Sequence, residues 1–141
     1  MVIDCADPDR LAHFWAAALG YKIALPPAGF DTWRTFWISK GVPESETGGG
    51  DDRIVDPTAA GPAIWFQQVP EGKAVKNRLH LDINASGGFT VPMAVRRQRV
   101  DAEAERLEVL GAIRLGSLEE PGVDHYGVAM QDPEGNEFDI N

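Results

Sequence analysis

The chain has one cysteine, Cys5, in 141 residues, so no internal disulfide framework holds it together. Cys5 lies between Asp4 and Ala6 in an expected strand, where a free thiol ordinarily serves as a small buried hydrophobe. Basic charge is also scarce. Thirteen Lys and Arg against 22 Asp and Glu give a formal charge of −9, which argues against nucleic acid, whose binding rests on neutralising phosphates. Arg96, Arg97, Arg99, Arg106 and Arg114 do cluster in or just after one expected helix, but Asp101, Glu103, Glu105 and Glu108 interleave with them. That stretch reads as a solvated face of i,i+4 pairs. No apolar run approaches the roughly 20 residues that span a bilayer. The start, Met1-Val2-Ile3-Asp4, lacks the basic region of an export signal. The expectation is a cytoplasmic protein with neither a membrane nor a nucleic-acid partner.

The length suits one domain, or two small modules sharing a core. The first clear element is a helix from Pro8 to Leu19. Asp7 can cap it, Pro8 suits its first position, and Gly20 can take the left-handed conformation that ends it. Leu11, Phe14, Trp15, Ala18 and Leu19 recur at helical spacing on one face. Val2–Cys5 precedes it as a strand, and Tyr21–Leu25 follows as a second, stopped by Pro26-Pro27. Thr32–Ser39, rich in β-branched and aromatic residues, reads as a third strand. Gly41–Gly61, with Gly48-Gly49-Gly50 and two prolines, reads as a loop, and Ala63–Val69 as a fourth strand.

After a polar linker the pattern begins again. Asn77–Asn84 alternates, with Leu79, Leu81 and Ile83 on one face and Arg78, His80 and Asp82 on the other. A long helix is expected from about Val91 to Leu110, with Thr90 a candidate cap, and it ends in Leu110-Gly111 as the first ended in Leu19-Gly20. Ala112–Gly116, His125–Gln131 and Glu137–Asn141 read as strands. Asp132-Pro133-Glu134-Gly135-Asn136 forms the hairpin turn between the last two. The order is βαβββ twice, at about 1–69 and 77–141. The expected fold is α+β: one domain of two tandem βαβββ modules whose concave mixed sheet encloses a small-molecule pocket.

Several segments then carry a family resemblance: Val2-Ile3-Asp4-Cys5-Ala6-Asp7-Pro8, Asn77-Arg78-Leu79-His80-Leu81-Asp82, Leu110-Gly111-Ala112 and Asp132-Pro133-Glu134-Gly135-Asn136-Glu137-Phe138. In order, across essentially the whole chain, they resemble the glyoxalase-like branch of the glyoxalase/bleomycin-resistance/dioxygenase, or vicinal-oxygen-chelate, superfamily. Metal-dependent members hold a divalent ion through ligands on the first, fourth, fifth and eighth strands. The resemblance places the fifth-strand ligand at His80, the eighth-strand ligand at Asp139, and the fourth-strand ligand at Gln67 with Gln68 as the neighbouring register. The first-strand position counts back to just before Met1.

Three N/O ligands suit Zn, Ni, Mn or Fe, though an amide at Gln67 is a weak ligand. A metal site and a metal-free pocket therefore both stand as readings. With an ion, the resemblance implies a lyase, isomerase or dioxygenase acting on a substrate with vicinal oxygens. No general base is identifiable. Without an ion, it implies a non-catalytic, ligand-sequestering protein like those of bleomycin resistance. Among the aromatics Trp33, Phe36, Trp37, Trp65 and Phe66, read as strand residues, Trp33, Trp37 and Trp65 are the candidate pocket walls, joined by His125. An interaction module built on Gly41–Gly61 is the third reading. The resemblance also implies a homodimer.

Overall fold

The computed structural model describes residues 1–47, 50–119 and 121–141. Gly48 and Gly49 of the glycine run therefore lie outside the described residues. The chain divides into two compact units, Met1–Gly72 and Lys73–Asn141.

In the first unit, strand β1 (Val2–Cys5) leads into helix α1 (Pro8–Leu19). The capping residues act as their chemistry requires. The Asp7 carboxylate accepts from the Arg10 amide at 3.1 Å, Pro8 occupies the first turn, and Gly20 closes the helix at φ 68°. Leu11, Phe14, Trp15 and Ala18 are buried on one face of α1. Strands β2 (Lys22–Ile23), β3 (Arg53–Val55) and β4 (Ile64–Gln68) complete a sheet of order β1-β4-β3-β2, in which β1 runs parallel to β4 and the other pairs are antiparallel. Ile54, Ile64 and Phe66 are buried, as is the Cys5 thiol.

Two expectations need correction here. Thr32–Ser39 is not a strand, because Trp33–Ser39 forms a helix, α2. Thr32 and Thr35 make a reciprocal capping box: each side chain accepts from the other's backbone amide, at 3.1 and 3.3 Å. That satisfies helix-terminal donors and outweighs the strand preference of the side chains. The helix also brings Trp33, Phe36 and Trp37 together at i, i+3 and i+4, with ring centroids 5.0–6.3 Å apart. The third strand lies instead inside the expected loop, at Arg53–Val55, so the module keeps four strands. That loop also contains a 3₁₀ turn at Glu44–Glu46.

The second unit repeats the scheme. Its elements are β5 (Asp82–Ile83), α3 (Met93–Val109), β6 (Ile113–Leu118), β7 (Gly127–Gln131) and β8 (Glu137–Ile140), in a sheet of order β5-β8-β7-β6. As in the first sheet, the opening strand runs parallel to the last, with Asp82 opposite Asp139 and Ile83 opposite Ile140. The expected long strand from Asn77 shrinks to β5. Leu79 is 86% exposed rather than on a buried face, and Asn77 donates its backbone amide to the Glu137 carboxylate at 3.0 Å. Thr90 does not cap α3, whose N-cap is Pro92 without a side-chain hydrogen bond.

The hairpin turn between β7 and β8 is built on Asp132, which is 1% exposed. Its carboxylate accepts from the backbone amides of Glu134 and Asn136, both at 2.9 Å, and from the Asn136 side-chain amide. Gly135 provides the φ of +85° that the turn requires. The arginine cluster is only partly the solvated face expected of it. Arg106 pairs with Glu103 and Arg114 with Asp101, but Arg96 is 5% exposed. Arg96 donates to the carbonyls of Val91 and Asp124 and pairs with the Asp124 carboxylate. A buried guanidinium needs that full set of partners. Among the described residues no helix is long and apolar enough to cross a membrane.

Candidate functional site

A cleft of about 720 Å³ opens within the first unit. That is the size of pockets that take drug-sized ligands. Its construction begins with the period of β4. Ile64 and Phe66 are buried, while Trp65 and Gln67 are exposed on the opposite face of the strand. Trp65, Phe66, Gln67 and Gln68 of β4 line the cleft together with Pro8 of α1, Trp37 of α2, and Val42, Ser45, Glu46, Thr47 and Asp52 from the segment leading to β3.

The aromatic wall is organised around one cation. The guanidinium of Arg53 lies 3.9 Å from the ring centroid of Trp33 and 5.7 Å from those of both Trp37 and Trp65. All three are within cation–π range. Asp52, beside it in sequence, accepts from Arg53 Nε at 2.8 Å and Nη2 at 3.1 Å, and from Trp65 Nε1 at 3.0 Å. The fork of the guanidinium matches the carboxylate with two parallel bonds. Trp33 and Trp37 stack at 6.3 Å between centroids, and Trp33 Nε1 donates to the Ala24 carbonyl at 2.8 Å. No residue of α2 is fully buried. The contacts of the helix with the rest of the unit include this indole–guanidinium cluster, the Phe30–Phe36 ring pair at 5.3 Å and the solvent-exposed Arg34–Glu44 ion pair at 2.5 Å.

Trp37 and Trp65 therefore stand on the cleft. Trp33 stacks on Trp37 without lining the cleft itself. His125 lies in the second unit, on a smaller pocket of about 230 Å³ with Asn84, Ser86, Phe89, Arg96 and Tyr126. Tyr126 donates its hydroxyl to Asp101 at 2.8 Å, and burial, the first cause, together with that bond raises its pKa.

Of the expected metal ligands, the second unit brings two together. His80 Nδ1 faces Asp139 Oδ2 at 3.4 Å, with both side chains partly exposed. The other ring nitrogen, Nε2, lies 3.4 Å from Lys76 Nζ. Gln67 sits on β4 of the first unit, opposite Asp4 in the sheet register. As a donor set the His80–Asp139 pair supplies one imidazole and one carboxylate, fewer than the three protein ligands of a catalytic zinc site, and an ammonium shares the imidazole.

Nearby, Glu137 is held by the Asn77 amide, the first cause, and by Lys73 Nζ at 3.0 Å. Together they lower its pKa from 4.5 to about 2. Among the described residues, Asp9, His13 and Asp51 form a group whose donor atoms lie within 4.8 Å of one another. His13 Nε2 is 3.2 Å from Asp51 and 4.0 Å from Asp9, with all three side chains largely in solvent.

Sequence reasoning missed Asp52, Arg53 and Glu46. The signal available was thin. Arg53 precedes Ile54-Val55, a β-branched pair that marks a short strand inside a glycine-rich stretch.

Comparison with known proteins agrees with this architecture. The chain belongs to the glyoxalase-like domain family, whose profile matches residues 1–141. Comparison with curated proteins gives no match. Among solved structures, a glyoxalase/bleomycin resistance protein/dioxygenase family enzyme from Burkholderia phytofirmans is 14% identical, with a TM-score of 0.60, covering 100% of this chain and 94% of that one. The fosfomycin resistance protein of Listeria monocytogenes, solved with Mn(II) and a dihydroxypropylphosphonic acid, is 11% identical with a TM-score of 0.58, covering 99% and 84%. Lactoylglutathione lyase from Agrobacterium tumefaciens is 13% identical with a TM-score of 0.52, covering 99% and 88%. Identities this low establish the shared fold and leave reaction to the site itself.

Proposed function

We propose that the protein binds a small, planar organic molecule in the first-unit cleft, in the manner of the ligand-sequestering members of its superfamily. The observation that carries this reading is the placement of Trp37 and Trp65 on a cleft of about 720 Å³. Two indoles give a flat ligand large contact area at little entropic cost. The Gln67 amide and the hydroxyls of Ser45 and Thr47 supply a few polar contacts for orientation, the usual composition of a small-molecule site. The test is a titration of planar aromatic compounds followed by tryptophan quenching. Binding should weaken at least tenfold in W37A and W65A, each checked for retained fold by circular dichroism. Undiminished binding in both variants would place the ligand elsewhere.

A second reading is favoured by the convergence of His80 and Asp139 at 3.4 Å. We infer that, if the protein takes a divalent ion as its fosfomycin-resistance neighbour does Mn(II), His80 and Asp139 of the second unit would hold it. Such an ion supplies Lewis-acid polarisation of adjacent substrate oxygens. The His80 imidazole would have to part from Lys76, and the Asp139 carboxylate would serve as the anionic ligand. Elemental analysis of protein purified without chelator tests this. Stoichiometric metal that is lost in H80A and D139A supports it, and metal-free protein, or metal retained in both variants, counts against it. The homodimer common in the superfamily is part of the same proposal and is read by sedimentation equilibrium.

A further inference from the structure

The cleft selects by charge as well as by shape, and we propose that its ligand is a planar aromatic cation. This rests on the cleft being the binding site. Among the described residues its lining includes two carboxylates, Asp52 and Glu46, and no Lys, Arg or His. Asp52 is already matched by the two-pronged bond from Arg53, so Glu46 carries the charge of the lining not offset by that pair. It lies on the 3₁₀ turn facing the cleft that Trp37 and Trp65 also border. A cation there meets three favourable fields: the Glu46 carboxylate, the negative faces of two indoles, and the surrounding unit. Residues 1–72 hold ten acidic against five basic side chains, a net of −5, which raises the local concentration of cations. The protein itself shows a cation at these indoles, since the Trp37 and Trp65 ring centroids each lie 5.7 Å from the guanidinium of Arg53. An anion of the same shape would meet repulsion from the Glu46 carboxylate and from the indole faces.

The experiment compares three planar probes of similar size on the full chain: proflavine (cationic), acridone (neutral) and 1-anilinonaphthalene-8-sulfonate (anionic). Affinity is read by tryptophan quenching at low and at physiological salt. The expected order is proflavine, then acridone, then the sulfonate. E46Q should weaken proflavine by roughly two- to fivefold, the scale of one exposed charge pair, and leave acridone unchanged. Salt should weaken proflavine alone. Acridone binding as tightly as proflavine, or E46Q weakening both equally, would overturn the charge selection while leaving the cleft itself as the binding site. If none of the probes quenches tryptophan, the cleft reading falls and this inference with it.

Discussion

Replacing Arg53 with Met tests how the cleft wall is held. Arg53 and Asp52 side chains are 20% and 11% exposed, so the pair is mostly but not wholly withdrawn from water. Removing one partner of a fully buried pair costs about 3–5 kcal/mol, and partial exposure reduces that. Each cation–π interaction removed with the guanidinium adds about 0.5–1 kcal/mol at a partly exposed site, while the Met side chain recovers some of the apolar packing. A net loss of about 2–3 kcal/mol follows. At about 2.1 cal/mol/K of unfolding entropy per residue, a chain of this length loses roughly 3–4 °C per kcal/mol, giving a fall of about 6–12 °C. If the first unit melts on its own, its midpoint moves about twice as far.

The assay is urea and thermal unfolding followed by far-ultraviolet circular dichroism, with near-ultraviolet circular dichroism reporting the indole packing. R53K keeps the charge but loses the planar fork, so it should recover less than half the loss. The double variant D52N/R53M should be more stable than the sum of the single losses by about 1–2 kcal/mol, because neither carboxylate nor guanidinium is then left unpaired. R53M within about 0.5 kcal/mol of the parent protein, or additive single variants, would refute the view that this cluster holds α2 and the cleft wall in place.

Two further predictions concern other parts of the molecule. The folded-state pKa of Glu137 is lowered to about 2 by the Asn77 amide and Lys73. Its stabilising effect is therefore complete above the ordinary 4.5, and it is lost as pH falls from about 4.5 through about 2. E137Q should remove that component of the acid sensitivity, seen as a shallower loss of urea stability as pH falls through the ordinary carboxylate range, and an unchanged slope would count against the assignment. Thr32→Ala removes one half of the capping box and should destabilise α2 by about 1 kcal/mol. Faster hydrogen exchange at the α2 amides would report it, whereas identical exchange would show that the tertiary cluster alone holds the helix.

The sequence exposes most of the scaffold because its signals are local. Asp7-Pro8 and Gly20 bracket α1 through capping chemistry that needs no distant partner, and the Asp132–Asn136 turn is satisfied largely by one carboxylate within its own few residues. The difference at Thr32–Ser39 has an equally local cause. The same threonines and aromatics that favour strands also form a capping box and an i, i+3, i+4 aromatic face, and propensity does not decide between them. Strand β3 is obscure because so short a strand inside a glycine-rich loop gives no periodicity. Trp37 and Trp65 are legible as candidate walls from residue type alone. Asp52, Arg53 and Glu46 are not, because polar residues acquire such roles only from neighbours brought in by the fold. His80 and Asp139 meet because the Asp139 amide donates to the carbonyl of Leu81, next to His80, where β5 runs beside β8, a pairing no short motif encodes.

Entry of a ligand between Trp37 and Trp65 is the central claim. The chain has four tryptophans, so their indole N–H resonances in a two-dimensional NMR spectrum, assigned by single Trp-to-Phe variants, resolve the question site by site. Titration with a planar aromatic ligand should move Trp37 and Trp65 strongly and Trp33 less, since it stacks on Trp37 without lining the cleft. Trp15, 2% exposed in the core, should not move. Saturable binding that leaves Trp37 and Trp65 unmoved would contradict the cleft as the site.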